Sequence, residues 1–150
     1  MNFMSIYANI YNCTSLIINI QYNMLLRDLN NIVDSIKDKN LKQALELCDL
    51  YENKENKYII FNFRGVIHLL KKDLNLAEAS FLESNSLNEK FEDPIKNLYL
   101  LYLKKKRFKK VLLCANKLMK IDKSNHRYNY QLAFALELNN NFNEAIKYYK

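Results

Sequence analysis

Leu74, Phe108 and Phe142 stand 34 residues apart, as do Ala77, Val111 and Ala145, and likewise Phe81, Ala115 and Tyr149. An apolar pattern that returns at a fixed interval of this size marks stacked helical hairpins, each too small to bury its own apolar flank. Turn residues agree with that reading. One glycine and one proline in 150 residues are too few for an all-β chain, which needs turn residues at roughly every eight to twelve positions. The single glycine, Gly65, falls inside a strongly helical stretch, where it costs about 1 kcal/mol relative to alanine. Its placement predicts that another backbone comes close there. The predicted fold class is all-α.

The length suits one domain with a real core. The charge is unevenly spread. Residues 1–26 carry no charged side chain, 27–103 carry 11 basic and 13 acidic residues, and 104–150 carry 12 basic and 3 acidic. Such asymmetry can signal an anionic partner, but asparagine, lysine, isoleucine and tyrosine are all abundant, which points to codon bias and weakens the inference. Cys13, Cys48 and Cys114 are odd in number and widely spaced, which fits a reducing, cytoplasmic setting. Residues 1–24 read as an uncharged leader, disordered or mis-started. Asn9, Asn12, Asn19, Gln21 and Asn23 interrupt its apolar run, so it is neither a signal peptide nor a membrane span.

The helices read in pairs. Leu29, Ile32, Val33 and Ile36 recur at helical spacing, and Leu41, Ala44, Leu45, Cys48 and Tyr51 follow on a second helix. The second pair runs from about Lys57 to Lys71 and from Leu74 to Leu87. The third opens at Glu92-Asp93-Pro94, with Asp93 as the expected cap and Pro94 in the first turn. The fourth begins near Asn125, and its second helix starts at Phe142 and runs to Lys150. A helix stopped so early predicts an incomplete repeat lacking the cap such stacks need for solubility, hence a fragment or leading arm of a longer protein, open to self-association. The expected repeats are about 26–57, 58–91, 92–125 and 126–150.

These features resemble the tetratricopeptide repeat (TPR), a helix–turn–helix unit of the same period. Counting from Tyr58, the family's positions 4, 8, 20, 24 and 27 hold Phe61, Gly65, Ala77, Phe81 and Ser84. From Glu92, positions 4, 7, 11, 20 and 24 hold Ile95, Leu98, Tyr102, Val111 and Ala115. From His126, positions 7, 8, 20 and 24 hold Leu132, Ala133, Ala145 and Tyr149. Small residues at Gly65, Ala77, Ala133 and Ala145 would let helices approach, while Phe61, Phe81, Phe108 and Tyr149 fill the space between them. Arg64 and Tyr99 depart from the pattern, as does the missing turn proline at Glu89 and Lys123. The resemblance implies a right-handed α-solenoid over 25–150.

The residues offer little chemistry. His68 and His126 fall in different repeats without metal-ligand neighbours, and one glycine forbids the motifs G-x-x-x-x-G-K-[ST], G-x-G-x-x-G and G-x-S-x-G. The sequence predicts no catalytic residue, no metal, no cofactor and no enzyme. The resemblance instead implies a scaffold that binds a protein or peptide in a concave groove lined by the first helix of each pair. Carried over, the groove positions include Asn62 and Val66, then Lys96, Asn97 and Leu100, then Arg127, Tyr130, Gln131 and Phe134. The carboxylate clamp of chaperone-binding relatives is not carried over, since its places hold Asn30 and Asp34. Two other readings stand beside this one. The chain resembles the repeat arms that precede glycosyltransferase or sulfotransferase domains, and the cluster Lys104, Lys105, Lys106, Arg107, Lys109 and Lys110 could meet nucleic acid or another anion. A solvated lysine turn is the plainer account of that cluster.

Overall fold

The computed structural model describes residues 25–52 and 56–149. The leader 1–24, and Cys13 with it, lies outside the described residues. Among the described residues the chain forms eight helices and no strand: α1 (25–37), α2 (Leu41–Tyr51), α3 (Lys57–Leu70), α4 (Leu74–Leu87), α5 (Glu92–Lys104), α6 (Phe108–Ile121), α7 (His126–Leu138) and α8 (Phe142–Tyr148). Helices α4, α6 and α8 begin at the three residues spaced by 34. None of the described helices is long and apolar enough to cross a membrane.

The chain divides into two compact units, 1–51 and 52–150. In the first, Ile32, Ala44 and Cys48 are fully buried. The Ser35 hydroxyl donates to the Asn31 carbonyl at 2.9 Å. In the second unit, each helix from α3 to α8 packs on its successor, and α3 also touches α5, the neighbour pattern of stacked hairpins. A continuous core runs through them, from Ala77 and Phe81 past Leu98, Val111 and Leu118 to Leu132, Leu136 and Ala145.

The period is written into the turns as well as the core. Lys72, Lys106 and Asn140, again 34 apart, hold positive φ of 66°, 53° and 63°. Each ends the first helix of a pair. The amide of Lys72 donates to the Leu69 carbonyl and that of Asp73 to His68; Lys106 and Arg107 repeat this on Leu103 and Tyr102, and Asn140 and Asn141 on Glu137 and Leu136. These paired bonds close a helix with a left-handed residue, a place where glycine is favoured and this chain uses lysine or asparagine. The return turns have their own chemistry. The Lys90 amide donates to Asn88 Oδ1 at 3.1 Å and the Ser124 amide to Asp122 Oδ1 at 2.9 Å, so a side-chain turn at two equivalent positions stands in for the missing proline.

Several sequence expectations change in detail. The object that approaches Gly65 is the ring of Phe81 and not a backbone. A methyl on Gly65 would overlap Phe81 Cε1 and lie 2.8 Å from its Cζ, and Phe81 is fully buried. Asp93 is not the cap of α5. That helix opens at Glu92, Phe91 holds the cap position without a side-chain bond, and both acids lie in the first turn, where they complement the helix dipole. Tyr149 does not fill the core: it is 43% exposed, with its hydroxyl on Glu137 Oε2 at 2.8 Å. Arg64 leaves the leucine pattern because its guanidinium lies 2.5 Å from Glu52 and over the Phe61 ring. Tyr99, bulky where the family has a small residue, is buried and donates to the Gln131 carbonyl at 3.3 Å.

Gly65→Leu should lower unfolding stability by about 1–3 kcal/mol, since a fully buried ring cannot yield cheaply; a denaturant melt matching the parent would refute the close fit. Lys106→Gly should raise stability by roughly 0.5–1 kcal/mol, because glycine removes the left-handed penalty while part of that gain is lost to unfolded-state entropy. The same melt checks it.

Candidate functional site

The nine groove residues lie on α3, α5 and α7, and hydrogen bonds tie these helices together. Asn97 Nδ2 donates to Asn62 Oδ1 at 3.1 Å, linking α5 to α3. Tyr99 and the Tyr128 hydroxyl, which donates to Glu92, link α5 to α7. Several of the nine are taken up by these internal contacts. Asn62 is buried. Lys96 sits 2.7 Å from Glu92 and 3.7 Å from Asp93, with its ammonium over the Tyr128 ring. The hydrogen bond to Glu92 raises the Lys96 pKa and holds the Glu92 carboxyl below its usual range.

The others are more open. Leu100 and Tyr130 are 61% and 62% exposed, Arg127 is exposed, and Val66, Asn97, Gln131 and Phe134 are half-buried. Tyr130 meets Tyr149 edge-on at 5.6 Å. Gln131 Oε1 is buried with no hydrogen-bond partner among the described residues. His68, half-buried, likewise leaves Nδ1 unpaired, and burial lowers its pKa. Among the described residues no group of three or more metal-binding side chains converges.

The basic turn resolves into two populations. Lys105, Arg107 and Lys110 converge on Glu78 of α4, at 2.8, 3.2 and 2.9 Å. The Tyr102 hydroxyl adds a fourth bond at 3.1 Å. Lys105 also reaches the Leu74 carbonyl at 3.3 Å. One repeat later Asn139 makes the equivalent bond to the Phe108 carbonyl at 2.9 Å. Burial would push the Glu78 carboxyl up, but the bonds from Lys105, Lys110 and Tyr102 outweigh it and take the pKa down to about 2. Half of the cluster is thus an internal fastening between hairpins. Lys104, Lys106 and Lys109 are exposed and have no ion-pair partner among the described residues.

Sequence reasoning missed the clefts. One of about 220 Å³ lies between α4 and α6, with α5 as its floor, lined by Leu82, Leu98 and Leu113 among others. A neighbouring cleft of about 610 Å³ carries Lys90, Lys117 and Lys120. Two shallower ones open at 72–76 with Lys105 and at 140–144. None of these four is lined by any of the nine groove residues.

Solved structures share this architecture. Two crystal structures of MamA superpose with TM-scores of 0.67 and 0.68 at 17% sequence identity, over 81% of this chain and 67% and 71% of theirs. A MamA double mutant gives 0.68 at 16% identity, over 81% of this chain and 68% of its own. The likeness shows the fold, a TPR-like stack of helix–turn–helix repeats. The sequence matches no protein-family model, and no curated protein matches it significantly.

Glu78→Gln should destabilise the chain by about 2 kcal/mol at neutral pH. A carboxylate whose folded pKa is depressed stabilises above its unfolded value, 4.5, and loses that contribution as the pH falls toward 2. The gap between parent and variant in thermal melts should therefore close over that window; a gap independent of pH would refute the fastening.

Proposed function

We propose that this chain is a protein–protein interaction scaffold that takes a peptide or protein segment on the face shared by α3, α5 and α7. One observation carries the reading. Leu100 and Tyr130 stand largely exposed on consecutive first helices, with Val66 and Phe134 half-buried at positions equivalent to Leu100. Two large apolar side chains standing open on neighbouring first helices are the feature that supports a contact site here. Beside it, Arg127 is exposed, the kind of polar group that fixes a bound backbone. A nucleic-acid role has less support, since half of the basic turn is engaged by Glu78.

A second reading rests on α8. Phe142 and Ile146 are 55% and 56% exposed, whereas their equivalents Phe108 and Leu112 are half-buried. Tyr149 is exposed where Phe81 and Ala115 are fully buried. We assign this face to one further helix, supplied by a second copy or by a longer protein of which this chain forms an arm.

A photo-crosslinking residue at Leu100 should trap a discrete partner in cells of the source organism, and one at Leu87 on α4 should not. Equal trapping at both places, or at neither, would overturn the groove. Ile146→Asp should shift any dimer toward monomer in light scattering; unchanged association would remove self-contact through α8.

A further inference from the structure

The cleft between α4 and α6 has a composition that stacking does not require. Leu82 and Leu113 form its two rims and are 47% and 64% exposed. One repeat on, the equivalents of Leu82 and Leu113 are Asn116 and Lys147, both exposed, and one repeat back from Leu113 stands Ala79, also exposed. At Ala79, Asn116 and Lys147 these outward places are short or polar, whereas the α4–α6 interval carries leucine on both sides. The floor is apolar throughout: Ile95, Leu98, Tyr102 and Cys114, all buried. Burial pushes the Cys114 thiol up to about 11, which keeps it protonated and uncharged at neutral pH.

The cleft continues into a basic one. Asn85 and Lys117 line both, and Lys117 Nζ donates to Asn85 Oδ1 at 2.7 Å. Lys90 and Lys120 line the second cleft, with Glu89 as its one acid. Unlike Lys105, Arg107 and Lys110, these three lysines make no ion pair among the described residues. Asn85 is 5% exposed and its Nδ2 has no acceptor among the described residues. An apolar slot about 220 Å³ in size thus opens directly beside a cleft with three lysines and a single glutamate.

We propose that this second, outward surface docks an amphipathic helix from a protein partner, with apolar side chains seated between Leu82 and Leu113 and carboxylates set over Lys117, Lys120 and Lys90. A helix laid in a groove between two helices presents anchors three and four residues apart, and the adjacent lysines select acidic flanks by complementarity of charge. The site is independent of the face formed by α3, α5 and α7: the two share no lining residue.

The test uses the full chain and a fluorescein-labelled synthetic helix about 15 residues long, with a leucine stripe at helical spacing bordered by glutamates. A twin with lysine in place of glutamate serves as the control. The acidic helix should bind and the twin should not. Leu113→Asp should weaken binding about tenfold or more, while the melting curve and crosslinking from Leu100 stay as in the parent. Lys117→Glu with Lys120→Glu should weaken it by about as much and flatten its salt dependence. Equal binding of both peptides would overturn the proposal, as would indifference to Leu113→Asp or loss on Leu100→Asp alone. So would saturation of the cleft by dodecanoate in preference to the peptide, which would make the occupant an acyl carboxylate. Loss of crosslinking from Leu100 with the acidic helix still bound would fault the groove and leave this site standing.

Discussion

The meeting of Gly65 with Phe81 holds in miniature what the larger unit depends on. A two-helix hairpin has too little interior to bury a large ring by itself. Phe81 is fully covered because α3 yields space at its one glycine and because α4 lies against α5. The same logic extends along the stack. Ala77, Val111 and Ala145 are buried at equivalent places, each on a second helix close to its partner. Burial is therefore a property of neighbours. Where the described helices end, at α8, the equivalent apolar side chains stand open.

Polar contacts add direction to this packing. Glu78 gathers three cations and a tyrosine hydroxyl from the following pair, and the same turn reaches back to the Leu74 carbonyl. Exposed ion pairs contribute little individually, but a carboxylate with only 13% of its side chain exposed that satisfies several donors at once sets the register between hairpins. Along the first helices, Asn62 with Asn97 and Glu92 with Tyr128 do similar work. Much of the polar surface expected to face a ligand is occupied in this way, which leaves Leu100, Tyr130 and Arg127 as the freer part of that face.

The helices and their starts were legible in the sequence because they follow from a local period. Leu74, Phe108 and Phe142 each open a second helix, as the spacing predicts. Two kinds of feature were not legible. The first is local chemistry without a conspicuous residue type: left-handed lysines at 72 and 106, and side-chain turns at Asn88 and Asp122, where glycine or proline would have signalled the turn. The second is contact at long range. Nothing near Glu78 in the sequence announces Lys105, Arg107 and Lys110, and the rims Leu82 and Leu113 look ordinary until the fold sets them across a cleft. Comparing them with Asn116, Ala79 and Lys147 was the signal that could have found them.

The turns have a consequence for how such a chain can change length. Every hairpin closes with bonds supplied from within its own few residues, as Lys72 with Asp73, Lys106 with Arg107 and Asn140 with Asn141 illustrate. The backbone bonds of one closure use no atom of another; only the side chains of Lys105 and Asn139 reach across, to the Leu74 and Phe108 carbonyls one repeat back. Duplicating or excising one whole module would hand the next module an intact start and an intact finish, so selection could lengthen or shorten the array in single steps without redesigning any bend.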